Sequence, residues 1–330
     1  MKLKQNVSVK GILQAFKYIN GKDVPITAPF KNLILDAFID SVHSGNFSAY
    51  RVDAAGSSTI GASIRVGSGT TPPSPSDTAL VTPLRLGNNM SVVSWNVEII
   101  DNNYVQTRTV RVEFSAATIA QNFTEIAVYT ANNGVPTANY PIISRSLIKD
   151  ILGEPSSISV DVDEILVIYY TFICTSPREV VYNGVIKGVP TEIRAINHWS
   201  TTEAYQMNQF PFLAGTNSIL SGAPAKYVRH TLIDFTLPTP SDTLTINNWS
   251  NSTATDITTR TPLSVETGLK SRCRYGLSLI NGSTVYGMYI PHSSVWTGFN
   301  KGWYLKFTPA FSKANTEVID FETITIVSRA

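Results

Sequence analysis

Alternating apolar and polar residues dominate this chain, and the alternation predicts β-strands. In the segment TVRVEF, Val110, Val112 and Phe114 fall on one face of a strand, while Arg111 and Glu113 fall on the other. Residues 157–163 (SISVDVD) alternate in the same way. The residues that follow, from 165 to 170 (ILVIYY), are apolar on both faces and predict a central strand of a sheet.

Turn signals separate these strands. Asn-Gly suits the positive φ angles of two-residue hairpin turns, and such pairs stand between apolar runs. They are Asn20-Gly21, Asn133-Gly134, Asn183-Gly184 and Asn281-Gly282. Near the C-terminus, Ile319 and Phe321 share one parity and Ile324 and Ile326 share the other, which predicts a β-bulge between the two pairs.

A helical pattern is clear in PFKNLILDAFIDSVHSG, where Ile34, Phe38 and Val42 are spaced four apart and Gly45 follows as a stop. A weaker helical candidate covers residues 201–209. The predicted fold is therefore mainly β, with two antiparallel β-sandwich-like domains and a short helix in the N-terminal domain.

We expect an N-terminal β domain over residues 1–176, a linker or hairpin over 177–189, and a C-terminal β-sandwich domain over 190–330. The tetrapeptide PSDT occurs at 75–78 and again at 240–243, and strand-like segments follow both copies in the same order. The second domain is thus a candidate divergent repeat of the first. Chance identity in a chain rich in Ser, Thr and Pro is the competing explanation.

Composition agrees with this fold and limits the partners. Charged residues make up 15% of the chain, against about 25% in average soluble domains. Lys and Arg form no run that would bind phosphates, so we expect no nucleic-acid partner. Apolar stretches fall short of the ~20 residues of a membrane span, and the N-terminus lacks the pattern of a signal peptide, which favours synthesis in a cytoplasm without membrane insertion.

Candidate chemistry is sparse. GSGTT at 67–71 lacks the Gly-Lys-Ser/Thr ending of a phosphate-binding loop. Asp161, Asp163 and Glu164 form the densest acidic cluster, but the first two alternate with core residues, as on a solvated face. Cys174 and Cys273 form no metal or redox motif, and Cys174 is expected to be a small buried apolar residue. We expect no catalytic residue, cofactor or metal.

Aromatic residues provide the strongest binding candidate. Trp296, Phe299, Trp303 and Tyr304 lie within nine residues of one another. Exposed aromatic rings of this kind stack on sugar rings, which would make the segment a glycan contact. The alternative is that the four side chains belong to the core or to an interface between subunits.

The order of segments in the first half carries a resemblance. Over about residues 1–175, the chain resembles a module of structural proteins in tailed bacteriophages, found in tail fibres, baseplates and neck components. The resemblance is carried by five segments in this order: FKNLILDAFIDSV, IRVGSGTTPPSPSDTAL, FTEIAVY, ISRSLIKD and VDEILVIYYTFI. The chain departs from the module at Ala127, where the family usually has glycine. The loop residues that the resemblance marks as structural are Gly67, Gly69, Pro72, Ser76, Asp77 and Thr78. Asp77 or Ser76 is expected to cap the turn at 78–80.

The resemblance implies a virion protein without enzymatic activity, made in the host bacterial cytoplasm. It would assemble with copies of itself in a symmetric oligomer and dock to neighbouring tail, neck or baseplate proteins. A rival interpretation is a receptor-binding protein whose C-terminal domain holds host surface glycans through Trp296 and Trp303. A polysaccharide hydrolase that uses Asp161, Asp163 or another carboxylate ranks below both.

Overall fold

The computed structural model of this chain describes residues 2–44, 61–87, 89–131, 142–198, 227–232, 234–237, 255–256, 261–262, 268–275, 282–291 and 302–330. One helix, α1 (Asp36–Ser44), lies within these ranges, and the regular structure in the rest of them is strand. The mainly β class, with antiparallel sheets and a short helix near the N-terminus, is therefore confirmed.

The strands follow one another along the chain as β1 (Lys2–Ile19), β2 (Lys22–Pro25), β3 (Phe30–Ile34), β4 (Gly61–Gly67), β5 (Pro83–Gly87), β6 (Asn89–Ile100), β7 (Asn103–Glu113), β8 (Gln121–Phe123), β9 (Glu125–Ala131), β10 (Ile142–Leu147), β11 (Ile158–Val160), β12 (Ile165–Pro177), β13 (Glu179–Ile186), β14 (Val189–His198), β15 (Tyr227–Thr231), β16 (Thr255–Asp256), β17 (Thr261–Pro262), β18 (Leu269–Tyr275), β19 (Thr284–Pro291), β20 (Gly302–Ser312) and β21 (Ile319–Arg329).

Within the described ranges these strands form a large sheet, a six-stranded sheet and a small pair. The large sheet runs in the order β17-β18-β21-β1-β3-β10-β9-β4-β5, with β12 and β2 also paired to β1, β7 paired to β12, and β6 paired to β7. The six-stranded sheet has the order β13-β14-β20-β19-β15-β16, and β11 pairs with β8.

Strand β1 organises the large sheet. It pairs antiparallel with β12 from Ser8 to Tyr18 and parallel with β21 from Lys2 to Val9. Its alternate residues, among them Leu3, are buried because successive side chains point to opposite faces of the sheet and one of these faces packs on the apolar core. The first and last strands of the chain thus belong to the same sheet.

Helix α1 covers one face of that sheet. Phe38, Ile39 and Val42 are buried in the main apolar cluster, and the ring of Phe38 lies 5.6 Å from that of Phe172 in β12. Full burial of a side chain such as Phe stabilises a fold by roughly 1.5–3 kcal/mol. Tertiary packing, more than intrinsic propensity, therefore holds this nine-residue helix in place.

Several sequence predictions are confirmed. Val110, Val112 and Phe114 are buried along β7 and just beyond it. The apolar segment of β12 is a central strand, because β12 pairs with β1 on one side and β7 on the other. Asn20 and Gly21 form the turn between β1 and β2, with φ angles of 52° and 79°.

Other predictions are wrong for identifiable reasons. The predicted helix begins too early, because residues 30–34 form β3 between β1 and β10. A spacing of four residues fits one face of a helix, but it also keeps Phe30 and Ile34 on one face of a strand. Asn183-Gly184 lies inside β13, and the turn falls on Lys187 and Gly188, whose φ angles are 54° and 81°.

The bulge predicted near the C-terminus is absent, since β21 pairs with β1 and with β18 without a shift in register. The buried face of β21 continues through Thr323 and Thr325, whose hydroxyl-bearing side chains hid the alternation. The Thr325 hydroxyl donates to Gln5 Oε1 (3.0 Å), and Gln5 Nε2 donates to Ser176 Oγ (2.8 Å), so this buried polar face is hydrogen-bonded.

The division into domains at 176 and 190 and the internal repeat stay predictions. The large sheet contains strands from both predicted halves, and a hairpin of β13 and β14 follows β12 directly. The second PSDT copy, the helical candidate at 201–209 and the Asn133-Gly134 pair lie outside the described residues.

Candidate functional site

The loop between β4 and β5 is hydrogen-bonded to several other parts of the described chain. It starts at Gly67, where Ser68 N donates to Thr82 O (3.0 Å), and this bond closes the base of the loop. At its far side Asp36 N, at the start of α1, donates to Pro75 O (2.8 Å). The loop is therefore fastened both to its own base and to the helix.

Glu125, the first residue of β9, lies under this loop with no exposed surface. Its Oε1 accepts hydrogen bonds from Gly69 N (3.0 Å) and Thr82 N (2.7 Å), and its Oε2 accepts from Val81 N (3.1 Å). A buried carboxylate is costly unless it is paired and hydrogen-bonded. Three backbone N–H groups of the loop supply part of that compensation.

Arg145 of β10 supplies the rest. Its side chain is only 2% exposed, and its Nη2 donates to Glu125 Oε2 (2.9 Å) and to Thr71 O (2.9 Å). Its Nη1 donates to Asp77 Oδ2 (2.6 Å). Burial alone would lower the pKa of the guanidinium, but the hydrogen bonds to Asp77 and Glu125 outweigh burial and raise it. Arg145 thus stays charged and ties two strands to the loop.

Two glycines allow the loop backbone to pass close to Glu125 and to Thr82. A Cβ on Gly69 would lie 2.5 Å from Glu125 Oε1 and 2.6 Å from Val81 Cβ. A Cβ on Gly67 would lie 2.3 Å from Thr82 O. Glycine is needed at both positions because the backbone passes against a buried carboxylate and against another stretch of backbone.

The remaining loop residues have other roles. Asp77 accepts a hydrogen bond from Ser74 N (2.9 Å), and Asp77 N donates back to Ser74 O (3.0 Å). Asp77 therefore closes the turn before it and not the expected one at 78–80, since its carboxylate also faces Arg145. Pro72, Ser76 and Thr78 are exposed on the loop surface.

Glu125 and Arg145 lie within the family-like segments, but the sequence patterns assigned neither residue to a site. The available signal was a single charged residue inside each of two apolar strands, TEIAVY and IISRSLI. We refer to Gly67, Gly69, Asp77, Glu125 and Arg145 as the loop network. Its charged atoms are engaged with one another and with the backbone, so the network is suited to holding a loop shape.

The aromatic candidates divide into two groups. Trp303 and Tyr304 belong to β20 and have no exposed surface, and the ring of Tyr304 lies 4.8 Å from that of Tyr289. This burial corrects the expected glycan or interface contact for these two residues and agrees with the alternative that they belong to the core, because a side chain in the core cannot stack on a sugar or touch another subunit. Trp296 and Phe299 lie outside the described residues, and their contact role stays a prediction.

The acidic cluster lies in a turn. Glu164 forms an ion pair with Lys17 (2.6 Å) and accepts a hydrogen bond from Asp161 N (2.7 Å). The hydrogen bond from Lys17 lowers the pKa of the Glu164 carboxyl. Asp163 has a φ of 63°, and its N–H donates to Ala117 O (2.8 Å). These contacts assign the cluster to the connection between β11 and β12.

A charged cleft of about 450 Å³ is bordered by β13, β14 and β20 and by the residues just before β7 and β13, and its size is within the range of ligand sites. It is lined by Asn102, Arg178, Glu179, Glu192, Arg194, Ile196, Thr236, Leu237, Lys306 and Thr308. Lys306 pairs with Asp234 (3.0 Å), and Arg194 pairs with Glu179. Two of the three cations in the cleft therefore already have anionic partners.

Arg178 is different from its neighbours in this cleft. Its guanidinium lies 5.6 Å from the ring centroid of Tyr104, and its Nε is buried without a hydrogen-bond acceptor. Within the described part of the chain, this guanidinium makes no ion pair. The cleft thus offers a cation held on an aromatic face, which is a suitable arrangement for an anionic group of a ligand.

The described residues contain no group of three or more His, Cys, Asp or Glu side chains placed to hold a metal ion. Over the same ranges, no helix has the length and apolar character needed to cross a bilayer. Cys174 is buried, as expected, and burial raises the pKa of its thiol to about 12.

No family model, no curated protein and no solved structure matches this chain.

Proposed function

We propose that this chain is a non-enzymatic structural component of a tailed-phage virion, in a tail, baseplate or neck appendage. It would assemble with copies of itself and dock to neighbouring virion proteins. The proposal starts from the resemblance in the first half of the chain. It is supported by the way in which the segments that carry that resemblance meet in space.

The contact between these family-like segments at the loop network is the observation that carries the proposal. The glycine-rich loop, the TEIAVY strand and the SRSL strand are separate in sequence, but each contributes to the loop network. Arg145 lies 20 residues from Glu125 and 68 from Asp77, yet it bonds both. A motif whose members hold one loop in place is typical of a shaped scaffold surface and needs no reacting group.

The test is localisation in the particle. Virions purified from a culture that carries this gene would be analysed by mass spectrometry and by image reconstruction. We expect the chain in stoichiometric amounts and as symmetric density in the tail or neck. Its absence from purified particles would contradict the proposal. The proposal would also be contradicted if all of the chain stayed in the supernatant as free protein after the virions were removed.

A second candidate function rests on the cleft around Arg178. In this alternative the C-terminal part of the chain recognises a host surface glycan that carries an acidic group. The guanidinium would bind the carboxylate, sulfate or phosphate, while Asn102 and Thr308 would face the hydroxyl groups. This moves the glycan hypothesis from the aromatic segment at 296–304 to a cleft in the described structure.

A glycan array that includes carboxylated and sulfated sugars tests this alternative. Wild-type protein is expected to bind an acidic glycan, and Arg178→Ala is expected to lose that binding. Lys31→Ala, which removes an exposed cation outside the cleft, serves as the control for net charge. Binding that survives Arg178→Ala, or no binding to any acidic glycan, would remove the cleft from consideration.

A further inference from the structure

The charged cleft around Arg178 follows the outer face of β13, β14 and β20. The register of these strands places opposed residues in three rows across the sheet. The rows are Glu179, Ile196 and Tyr304; then Val181, Arg194 and Lys306; then Asn183, Glu192 and Thr308. Opposed residues face the same side of a sheet, and successive rows on one side are two residues, or about 7 Å, apart. Six of these side chains line the cleft, so the cleft runs along the strands.

The middle of the cleft is neutralised by its own side chains. Arg194 Nε donates to Glu179, and Lys306 forms an ion pair with Asp234 (3.0 Å). Lys306 Nζ also donates to Phe235 O (2.5 Å). The hydrogen bond to Glu179 raises the pKa of Arg194, because it stabilises the charged guanidinium. A ligand therefore gains little from these two cations, since each would first have to leave its carboxylate.

The two ends of the cleft carry opposite charges that form no ion pair within the described residues. Arg178 lies on the ring of Tyr104 at one end, and its Nε is buried without an acceptor. Glu192 lies at the other end, is exposed, and makes no hydrogen bond to a described residue. The charge of Glu192 acts on Arg194, but this is the smallest of the effects on the pKa of Arg194.

The register also gives the separation of these two ends. Glu192 is opposite Asn183, which follows Arg178 by five residues. Five residues of extended chain cover about 17 Å, so the two charged residues are far enough apart to contact groups on different units of a sugar chain.

Charge balance distinguishes between classes of ligand. The charged groups of the cleft and of the Lys306 ion pair are the cations Arg178, Arg194 and Lys306 and the anions Glu179, Glu192 and Asp234. The six charges cancel, so the cleft has no net positive charge that would favour a polyanion. A polyanion would be attracted by Arg178 and repelled by Glu192. A ligand with both an acidic group and a protonated amine would be attracted at both ends.

We propose that this cleft binds a zwitterionic oligosaccharide, with an acidic group at Arg178 and a protonated amino group at Glu192. The guanidinium would bind the acidic group through charge-assisted hydrogen bonds, and the Glu192 carboxylate would accept hydrogen bonds from the amine. The inference rests on the second candidate function and deepens it, because it adds a cationic group to the acidic glycan named there. It does not depend on the location of the chain in a virion.

A matched pair of probes tests the amino group. One probe is a tetrasaccharide of alternating glucuronic acid and glucosamine with free amines, and the other is the same tetrasaccharide with every amine acetylated. Isothermal titration calorimetry of the full chain is carried out at low ionic strength and at a mildly acidic pH that keeps the amines protonated. The free-amine probe is expected to bind about three- to fivefold more tightly, which is the contribution of one exposed ion pair. The preference is expected to shrink as salt is added.

Three variants assign the two ends of the ligand. Glu192→Gln is expected to remove the preference, so that both probes bind with the same affinity, because the amide carries no charge. Glu154→Gln removes an exposed carboxylate outside the cleft and is the matched control, which is expected to keep the preference. Arg178→Ala is expected to lose the binding of both probes. Glu192 and Glu154 are both exposed, so both glutamine variants are expected to fold.

Equal binding of the two probes by the wild-type protein would overturn the zwitterionic ligand, as would a preference that survives Glu192→Gln. In either case, binding that Arg178→Ala abolishes would still support the acidic-glycan function. Binding of neither probe would also overturn the zwitterionic ligand and would leave the acidic-glycan function to its own array. Binding that Arg178→Ala leaves unchanged would contradict both.

Discussion

Arg145 and Arg178 are both held against the body of the protein, but the fold uses them in opposite ways. Arg145 is buried and bonds two carboxylates and a backbone carbonyl. Arg178 lies on the ring of Tyr104 and makes no ion pair within the described residues. The charge of Arg145 is paired within the fold, whereas the charge of Arg178 lies at the wall of a cleft without an ion pair among the described residues.

The difference shows where to look for function in this chain. A motif that is conspicuous in sequence, the glycine-rich loop, leads to a charge network that stabilises a shape. Arg178, whose guanidinium makes no ion pair within the described residues, comes from a segment without any motif, between β12 and β13. The following predictions test this contrast, beginning with the largest expected effect.

Arg145→Met is expected to reduce the free energy of unfolding by about 3–5 kcal/mol, because it leaves the Glu125 carboxylate buried without its cation. Urea denaturation followed by circular dichroism measures the loss. Arg145→Lys is the matched control for charge and is expected to lose less, although one ammonium group cannot reach Asp77, Glu125 and Thr71 together. A near-neutral Arg145→Met would contradict the stabilising role assigned to the network.

Gly69→Ala is expected to cost about 1–3 kcal/mol, because the added Cβ collides with Glu125 and Val81 and pushes the loop from its N–H contacts. Ser68→Ala is the control. Ser68 lies between the two glycines, is exposed, and keeps its backbone bond to Thr82, so a change within about 0.5 kcal/mol is expected. Equal effects in thermal unfolding would argue against the close approach at Gly69.

Arg111 is intermediate between Arg145 and Arg178, because it forms an ion pair with Asp23 but is only partly buried. The pH dependence of stability measures what this ion pair contributes. Arg111 Nε donates to Asp23 Oδ2 (2.7 Å) and the Tyr169 hydroxyl donates to the same oxygen (2.7 Å). The hydrogen bond from Arg111 is the largest cause that lowers the pKa of the Asp23 carboxyl. The folded state thus binds a proton at Asp23 less readily than the unfolded state, whose carboxyl titrates near about 3.9.

The stability from Asp23 is therefore complete above pH values of about 5 and is lost as the pH falls through the unfolded pKa towards the lowered folded pKa. Asp23→Asn is expected to be less stable than wild type at pH 7, with the difference shrinking in acid. Unfolding free energies measured from pH 7 to 3 provide the check. A difference that stays constant over this range would show that the carboxylate charge contributes nothing.

Arg178→Met is expected to have the smallest effect, a loss of at most about 1 kcal/mol from the contact with Tyr104. The same urea denaturation used for Arg145→Met measures it, so the two variants form a direct pair. A loss as large as that of Arg145→Met would mean that the charge of Arg178 is already engaged by the fold and is not available to a ligand.

Much of the fold could be read from local patterns. The strands at 110–114 and 165–170 were correct because alternation and continuous apolar runs reflect burial on one or both faces of a sheet. The start of the helix was wrong because a spacing of four between Phe30 and Ile34 fits both a helix and one face of a strand. The prediction of a turn at Asn183-Gly184 was wrong because β13 continues to Ile186 and the turn falls on Lys187-Gly188. This longer strand puts Tyr182 and Ile186 on the same inner face, and the need to bury that face arises from packing that local sequence does not reveal.

The candidate site was only partly predictable. The glycines at 67 and 69 signalled an unusual backbone path, but nothing local revealed that the path follows a buried carboxylate. Trp303 gave the same sequence signal as an exposed sugar-binding residue. Its burial follows from the pairing of β20 with both β14 and β19, which closes the core around it.

By itself the sequence determined the mainly β class, the low charge and the positions of several strands in the first half, because these depend on the residues of each segment and their period. Tertiary structure alone decided that β21 lies beside β1, that Glu125, Arg145 and Asp77 meet under one loop, and that Arg178 remains unpaired among the described residues. Such contacts join residues far apart in the chain, and their energies depend on distances and burial that only the assembled sheets create.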